Sequence, residues 1–211
     1  MPTFNSLSIE TFLCRISGLS EHFIYFNDDL FLTSRVEFAD FFTTTGPVMR
    51  GEWIDFSHLP ECGNSRDDAA LLNHYNQIEA TNLEGFGTKH MFASAHVLHR
   101  MQCSIMAQSF ADHHGRFVQN ASFRFRDTAQ FLPQSLHNYY CIRNDLGRIH
   151  QPRDHIHVSA DEIAQWAEQQ INGFLNSTHR ARIKFLCINH LPELERRFPD
   201  ARCWIETAIG Y

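Results

Sequence analysis

The 211-residue sequence contains no long apolar stretch. No segment approaches the roughly 20 apolar residues that a membrane-spanning helix requires, and the N-terminus has no basic segment followed by an apolar run. We therefore expect no transmembrane segment and a cytoplasmic location. Peripheral attachment at the inner face of the membrane is the alternative that this pattern leaves open.

Positive charge is also in short supply. Lys and Arg total 18 against 24 Asp and Glu, which gives a formal net charge of -6. Such a chain offers no general attraction for phosphate backbones or anionic lipid, so no nucleic-acid partner is expected. An anionic ligand would have to be met by local cations.

The six cysteines are dispersed and form no C-x-x-C pair, which argues against a structural zinc knuckle. Because most of them lie in apolar segments, we expect buried, reduced thiols. Internal repeats, low-complexity tracts and a convincing interdomain linker are absent as well. The length and average composition predict a single domain over residues 1–211.

Apolar patterning predicts helices and strands that alternate along the chain. Helical spacing or a capping box favours helices at residues 9–16, 98–110 and 159–171. Continuous or alternating apolar runs favour strands at residues 23–26, 123–126 and 183–188, the first and last of them buried on both faces. This alternation indicates an α/β or α+β fold with a mixed sheet.

Asn27, Asp28 and Asp29 interrupt an apolar run that resumes at once with Leu30. Two adjacent carboxylates beside so much apolar surface are costly to bury unless a cation, a donor or water meets them. A turn is the simpler interpretation, since Asn and Asp favour turns. The alternative is a magnesium site at the end of a strand, because Mg²⁺ on nucleotide phosphates takes a few hard oxygen ligands.

Histidine and arginine pairs give weaker signals. His96 and His99 have i, i+3 spacing beside the predicted helix at 98–110, but no third zinc ligand follows at a recognised distance, so a role as a base is favoured. Arg124 and Arg126 alternate with Phe residues and would point to one side of a strand. That arrangement fits either an exposed face or a phosphate clamp.

The segment "FNSLSIETFLCRISGLSEHFIYFNDDLFL" (residues 4–32) closely resembles the second conserved block of the Stealth proteins. These sugar-1-phosphate transferases include bacterial capsular polysaccharide phosphotransferases and the lysosomal-enzyme N-acetylglucosamine-1-phosphotransferase of animals. The matching positions are Ser6, Ile9, Glu10, Arg15, Ile16, Gly18, Leu19, Ser20, Tyr25, Asn27, Asp28 and Asp29. "FGTKHMFASAHVLHR" is similar to the third block and "KFLCINH" to the fourth, so the blocks lie near residues 5–46, 85–140 and 183–206.

The resemblance implies a Rossmann-like nucleotide-sugar transferase lobe with a mixed, mostly parallel sheet flanked by helices. It also implies transfer of a sugar 1-phosphate from a nucleotide diphosphate sugar to a hydroxyl of a saccharide acceptor, in capsular or exopolysaccharide synthesis. Two other functions stay open, a metal-dependent glycosyltransferase and a catalytically inactive binding module.

The same resemblance assigns roles to residues of this chain. Asp28 and Asp29 would hold Mg²⁺ (or Mn²⁺) on the pyrophosphate, and Arg126 would bind phosphoryl oxygens through its planar fork. His96 or Glu10 would take the proton of the acceptor hydroxyl. The expected catalytic residues are thus Glu10, Asp29, His96 and Arg126, and the expected substrate-binding residues are Arg15, Asn27, His99, Arg124 and Asn189.

Two departures from the family pattern stand out. The Asp expected after Asn189 is His190, so we expect a polar or metal-adjacent contact of the fourth block to be altered. The first block, an apolar strand that ends in a Thr-Trp-Val segment, has no counterpart in the sequence. We therefore expect a fragment, a divergent short member or one half of a split enzyme, for which a partner chain would supply the missing block.

Overall fold

The structure is a computed structural model that describes residues 3–59, 69–167, 169, 170, 173 and 183–210. The chain forms two compact units, each built from three separate stretches of sequence. The first unit comprises Met1–Ile24, Phe42–Ala95 and Arg100–Ile149, and the second comprises Tyr25–Phe41, His96–His99 and His150–Tyr211. Whether residues 1–211 form one domain, as the sequence predicts, depends on how these two units associate. The single domain therefore stays a prediction.

The helices and strands are short. The described helices are α1 (Ser6–Glu10), α2 (Ala69–Leu83), α3 (Cys103–Asp112), α4 (His114–Ser122), α5 (Pro133–Arg143), α6 (Ala160–Gln165), α7 (Leu191–Arg197) and α8 (Ala201–Ala208). The described strands are β1 (His22–Tyr25), β2 (Leu30–Leu32), β3 (Phe42–Thr43), β4 (Gly46–Met49), β5 (Gly51–Ile54), β6 (Met91–Ser94), β7 (His99–Gln102), β8 (Arg148–Ile149), β9 (His155–Val158) and β10 (Phe185–Ile188). In the part of the chain that the structure covers, none of the helices combines the length and the apolar character needed to cross a bilayer.

Helix α5 lies at the centre of the first unit. It begins with Pro133, whose missing N–H costs nothing in a first helical turn, and most of its side chains are buried. It packs against α2 and α3. Its residues Tyr139 and Cys141 join Phe92 of β6 and Ile105 of α3 in one apolar core. Strands β3, β4 and β8 form one small sheet of this unit, and β5 pairs with β6.

Strand β10 organises the second unit. It pairs antiparallel with β2 and parallel with β9, and Cys187 lies opposite both Leu30 and His157. All four residues of β10 are buried. Leu186 packs with Ile163 of α6 and with side chains of α7 and α8. Since α6 follows β9 directly, this unit contains a parallel strand pair whose connection includes a helix.

The predicted Rossmann-like fold with a mostly parallel sheet is wrong. The described residues form four sheets of two or three strands each, and their parallel pairs include β4–β8 and β9–β10, while β2–β10, β3–β4 and β5–β6 are antiparallel. Strand β1 alternates between exposed and half-buried residues, so it is not buried on both faces as predicted. Residues 123–126 form no strand and lie between α4 and α5, where Phe125 is exposed. These runs are too short to build a layered parallel sheet.

Other local predictions have mixed outcomes. The strand at 183–188 is confirmed as β10, and the capping box between Ser159 and Glu162 is confirmed at the start of α6. That helix ends at Gln165, and residue 171, where the predicted helix ends, lies outside the described residues. The helix predicted at 98–110 begins only at Cys103, because the preceding residues form β7. The helix predicted at 9–16 is divided into α1 and a short 3-10 turn, and both its end residues are exposed.

Candidate functional site

The ends of three strands position a polar cluster in the second unit. Asp29 occupies the turn that precedes β2, and its carbonyl accepts a hydrogen bond from the backbone N–H of Ile188 at 2.9 Å. Cys187 and His157 are directly opposite each other in β10 and β9, so their side chains lie on the same face of the sheet. Asn189 follows two residues after Cys187 and shares that face. We call Asp29, His96, His157, Cys187 and Asn189 the Asp29 cluster.

Hydrogen bonds and ring contacts connect the members of the Asp29 cluster. His96 Nε2 lies 3.4 Å from Asp29 Oδ2, and Asn189 Nδ2 donates to the same oxygen at 2.5 Å. Asn189 Oδ1 lies 2.6 Å from His157 Nε2 and accepts a hydrogen bond from it. The rings of His96 and His157 are stacked with their centroids 5.0 Å apart. Asn189 therefore holds a carboxylate on one side and an imidazole on the other.

Burial and neighbouring charge shift the pKa values of this cluster. Burial favours the neutral form of Asp29, but its hydrogen bond to His96 and the charge of that ring outweigh burial and lower the pKa of the carboxyl. Burial lowers the pKa of His157, and the nearby His96 lowers it further. Burial and the adjacent Asp29 raise the pKa of the Cys187 thiol. An ionised carboxylate and a protonated thiol therefore lie together at neutral pH.

The surroundings of Asp29 suit magnesium poorly. Asp29 Oδ1 is buried and accepts no hydrogen bond from a nitrogen or oxygen donor of the described residues, while the Asp29 carboxyl also bonds to the Cys187 side chain. Among the His, Cys and acidic side chains of the described residues, the ligand atoms grouped with Asp29 are His96 nitrogen and Cys187 sulfur, whereas Mg²⁺ prefers hard oxygen ligands. Asp28 is exposed in the same turn and does not join the cluster. Magnesium at Asp28 and Asp29 stays a prediction.

The structure places the predicted site residues in two groups. Asn27, Asp29, His96 and Asn189 come together in the second unit, where Asn27 Nδ2 lies 3.5 Å from His96 Nε2. His96 lies in the loop between β6 and β7, not beside a helix, and His99 begins β7.

Four other predicted residues belong to the first unit. Glu10 is buried in α1 and accepts a hydrogen bond from Gln134 at 2.6 Å. Arg126 is exposed and donates to Ser6 Oγ at 2.8 Å. The two remaining guanidinium groups lie over aromatic rings, Arg15 over Phe12 and Phe110 and Arg124 over Phe4 and Phe125. The roles predicted for these residues stay predictions.

Sequence reasoning missed His157 and Cys187. His157 lies in a stretch rich in His, residues 150–157, whose composition is typical of a polar surface loop, and the apolar run around Cys187 predicts only a buried thiol. One signal was present, because Cys187 and Asn189 are two residues apart and a strand would direct both to one face. The pairing of β9 with β10, which brings His157 beside them, could not be deduced from local patterns.

Comparison with known proteins finds that the chain is similar to polysaccharide phosphotransferases. Residues 1–49 match the family model described as Stealth protein CR2, conserved region 2. The chain is 29% identical over 200 residues to an exopolysaccharide phosphotransferase of Streptomyces coelicolor, covering 92% of this chain and 32% of the relative. It is 34% identical over 150 residues to an exopolysaccharide phosphotransferase of Nocardia farcinica, covering 67% and 28%. A capsular polysaccharide phosphotransferase of Streptococcus pneumoniae is 52% identical over 46 residues, or 22% of this chain and 14% of the relative.

These matches confirm the resemblance to the Stealth family, since the chain contains conserved region 2 of those proteins. Region 2 includes Asn27, Asp28 and Asp29, and the longer alignments extend well beyond it. The chain spans only 24% to 32% of the length of the four Streptomyces and Nocardia relatives that it matches.

Proposed function

We propose that the chain takes part in the transfer of a sugar 1-phosphate from a nucleotide diphosphate sugar to a hydroxyl of a saccharide acceptor. The product would be a capsular or extracellular polysaccharide. The names of the relatives support phosphotransfer in polysaccharide synthesis. The observation that carries the proposal is the contact between His96 Nε2 and Asp29 Oδ2 at 3.4 Å. Asp29 lies within the segment that matches the family model, residues 1–49.

The His96–Asp29 pair is suited to proton removal. An acceptor hydroxyl must lose its proton as its oxygen bonds to phosphorus. With Nε2–H directed at the carboxylate, Nδ1 is the nitrogen that can accept the proton, and Asp29 then stabilises the imidazolium. Positioned bases of this kind contribute about 10²–10⁴-fold to rate.

Accessibility favours His96 over Glu10 as the base. The His96 side chain is 35% exposed, so a substrate hydroxyl can reach it. Glu10 is 5% exposed, and its carboxylate already accepts a hydrogen bond from Gln134. We therefore assign proton removal to His96 and a positioning role to Glu10.

Arg126 is the residue to which we assign phosphoryl binding. Its guanidinium is exposed, and its planar fork can donate two parallel hydrogen bonds to phosphoryl oxygens. Phosphoryl transfer requires such charge neutralisation and positioning more than covalent chemistry from the protein. Its hydrogen bond to Ser6 Oγ holds the side chain against α1.

Product analysis tests the proposal. The purified chain would be incubated with a panel of nucleotide diphosphate sugars and saccharide acceptors, and the released nucleotide identified by chromatography. Release of nucleoside monophosphate supports phosphotransfer, whereas release of diphosphate would indicate a glycosyltransferase. Donor binding without turnover would instead indicate a binding module.

A further inference from the structure

Three potential metal ligands of different chemistry converge in the Asp29 cluster. One ligand atom each from Asp29, His96 and Cys187 lies within 4.8 Å of the other two. All three residues belong to the second unit, and two of them are fixed by the pairing of β2 with β10. The set offers a carboxylate, an imidazole and a thiol, which is a transition-metal combination and not a magnesium one.

The spacing of these atoms approaches that of a tetrahedral site. Bonds of about 2.0–2.2 Å from zinc to nitrogen and oxygen set those two atoms about 3.4 Å apart. His96 Nε2 and Asp29 Oδ2 are already 3.4 Å apart. The Cys187 sulfur lies within 4.8 Å of a ligand atom of each of the other two residues, and a bond of about 2.3 Å from zinc to sulfur would require it to approach them.

Charge also favours a dication here. Asp29 carries one negative charge, and a Cys187 thiolate would supply a second, so a divalent ion would leave the half-buried site neutral. Besides Oδ2, which sets the 3.4 Å spacing to His96, Asp29 presents the buried Oδ1 as a second carboxylate oxygen that the ion could bind. We propose that Asp29, His96 and Cys187 form a zinc-class site whose fourth position stays open to water or a ligand.

Neighbouring residues would orient these ligands. Asn189 donates to Oδ2 of Asp29 and thereby fixes the carboxylate with Oδ1 available. His157 stacks on His96 and limits the rotation of its ring. Partners of this kind hold metal ligands in productive orientations, and their loss typically weakens metal binding about 10–100-fold.

This inference rests on geometry and not on the proposed transferase function. Coordination would form a bond from sulfur to the metal while the thiol proton leaves to the solvent buffer. It would also engage His96 Nε2 and the Asp29 carboxylate, the pair to which we assign proton removal. Zinc is therefore expected to inhibit sugar-phosphate transfer, while binding itself can be measured whether or not the chain is active.

Cobalt substitution tests the site directly. The 211-residue chain, reduced with a phosphine, would be titrated with Co²⁺, and the near-ultraviolet absorption that arises from thiolate-to-cobalt charge transfer would be recorded. We expect this band in the wild type, its loss on addition of equimolar Zn²⁺, and its persistence in a large excess of Mg²⁺. Absence of the band in the folded wild type would overturn the proposal.

Two variants with matched controls assign the ligands. Cys187→Ser should abolish the band, while Cys203→Ser, at an exposed position on α8, should retain it. Cys187 is buried, so its replacement could prevent folding. A second variant, His96→Ala in the half-exposed loop, therefore tests the site independently. His58→Ala, at an exposed position, is its control. His96→Ala should weaken zinc affinity by more than about tenfold in a competition with a chelator. A band that survives Cys187→Ser, or an unchanged zinc affinity in folded His96→Ala, would contradict the assignment.

Discussion

Asn189 donates its side-chain amide to Asp29 Oδ2 at 2.5 Å, although 160 residues separate the two in sequence. The bond joins a residue just after β10 to the turn before β2, two strands that are neighbours in the sheet of the second unit. It occupies Oδ2 of Asp29, the oxygen that also lies 3.4 Å from His96 Nε2, and leaves Oδ1 free of this bond. Asp29 is therefore oriented by the fold before any ligand binds.

Replacement of Asp29 by Asn should reduce transfer by roughly a hundredfold or more, as the loss of a preorganised electrostatic contact does. The amide has nearly the same shape but cannot stabilise a charged His96. The measurement is the rate of nucleoside monophosphate release at saturating donor. Turnover like that of the wild type would reject the role assigned to Asp29.

Asp29 should also make stability depend on pH. Its pKa is lowered from the usual 3.8, because contacts with His96 outweigh burial. A carboxyl with a depressed folded pKa stabilises the fold above its unfolded pKa, and this stabilisation is lost as the pH falls below about 4 through the folded value. The difference in Tm between wild type and Asp29→Asn should therefore shrink below about pH 4. Asp28→Asn, at the exposed neighbouring residue, is the control and should follow the wild type.

His96→Ala should lower transfer by about 10²-fold or more, the usual contribution of a positioned base. Its effect should appear mainly in kcat, because proton removal belongs to the transition state and not to donor binding. Donor affinity from calorimetry would be measured alongside. An unchanged kcat would shift the assignment of the base to Glu10, and Glu10→Gln would then be the variant to test.

Arg126→Lys should slow transfer by about tenfold or more, since one hydrogen bond to a charged group contributes about 1.5–3 kcal/mol. The charge is kept, but an ammonium cannot replace the planar fork. Arg148→Lys, at another exposed position in the first unit, is the matched control. Equal effects of the two substitutions on kcat/KM would indicate a general electrostatic effect and not a phosphoryl contact at Arg126.

His137 should make the first unit sensitive to acid. Burial, and then the charge of Arg100, lower the pKa of His137 to about 3. In this neutral form Nε2 accepts a hydrogen bond from the backbone N–H of Gln102 at 3.1 Å. A histidine with a depressed folded pKa contributes stability that is complete above its unfolded pKa of about 6.5 and is lost as the pH falls toward the folded value.

NMR and thermal unfolding check this prediction. The His137 ring signals should not titrate between about pH 5 and pH 8. His137→Gln, which keeps an acceptor but cannot be protonated, should make the Tm less dependent on pH between about 6.5 and 4 than it is in the wild type. A ring that titrates near the usual value for histidine would show that His137 is accessible to protons.

Sequence predicted those features that depend on local patterns. Phe185, Leu186, Cys187 and Ile188 form a continuous apolar run, and only a strand buried on both faces accommodates such a run at this length. The reciprocal bonds of Ser159 and Glu162 are set by three-residue spacing, so the start of α6 was also predictable. The local pattern also marks Asn27, Asp28 and Asp29 as a break in an apolar run, and Asp29 lies in the turn before β2.

Features that depend on strand pairing could not be predicted in this way. The run at residues 23–26 looks buried on both faces, yet β1 is a short strand with one face exposed. His157 reaches the cluster only because β9 pairs in parallel with β10, and His96 reaches it from a loop that has no periodic signal. Register between distant strands is set by tertiary packing, which local composition does not encode.

The stretches that form the two units alternate along the sequence, and this order affects folding during synthesis. Each unit combines early and late stretches of the chain. Neither unit can therefore be completed during synthesis until the last stretch that belongs to it has left the ribosome. The turn with Asp29 must wait for β10 to be synthesised, and the long loop so closed carries an entropic cost that delays pairing. A C-terminal truncation that removes β10 would thus leave β2 without its partner and expose apolar edges to aggregation.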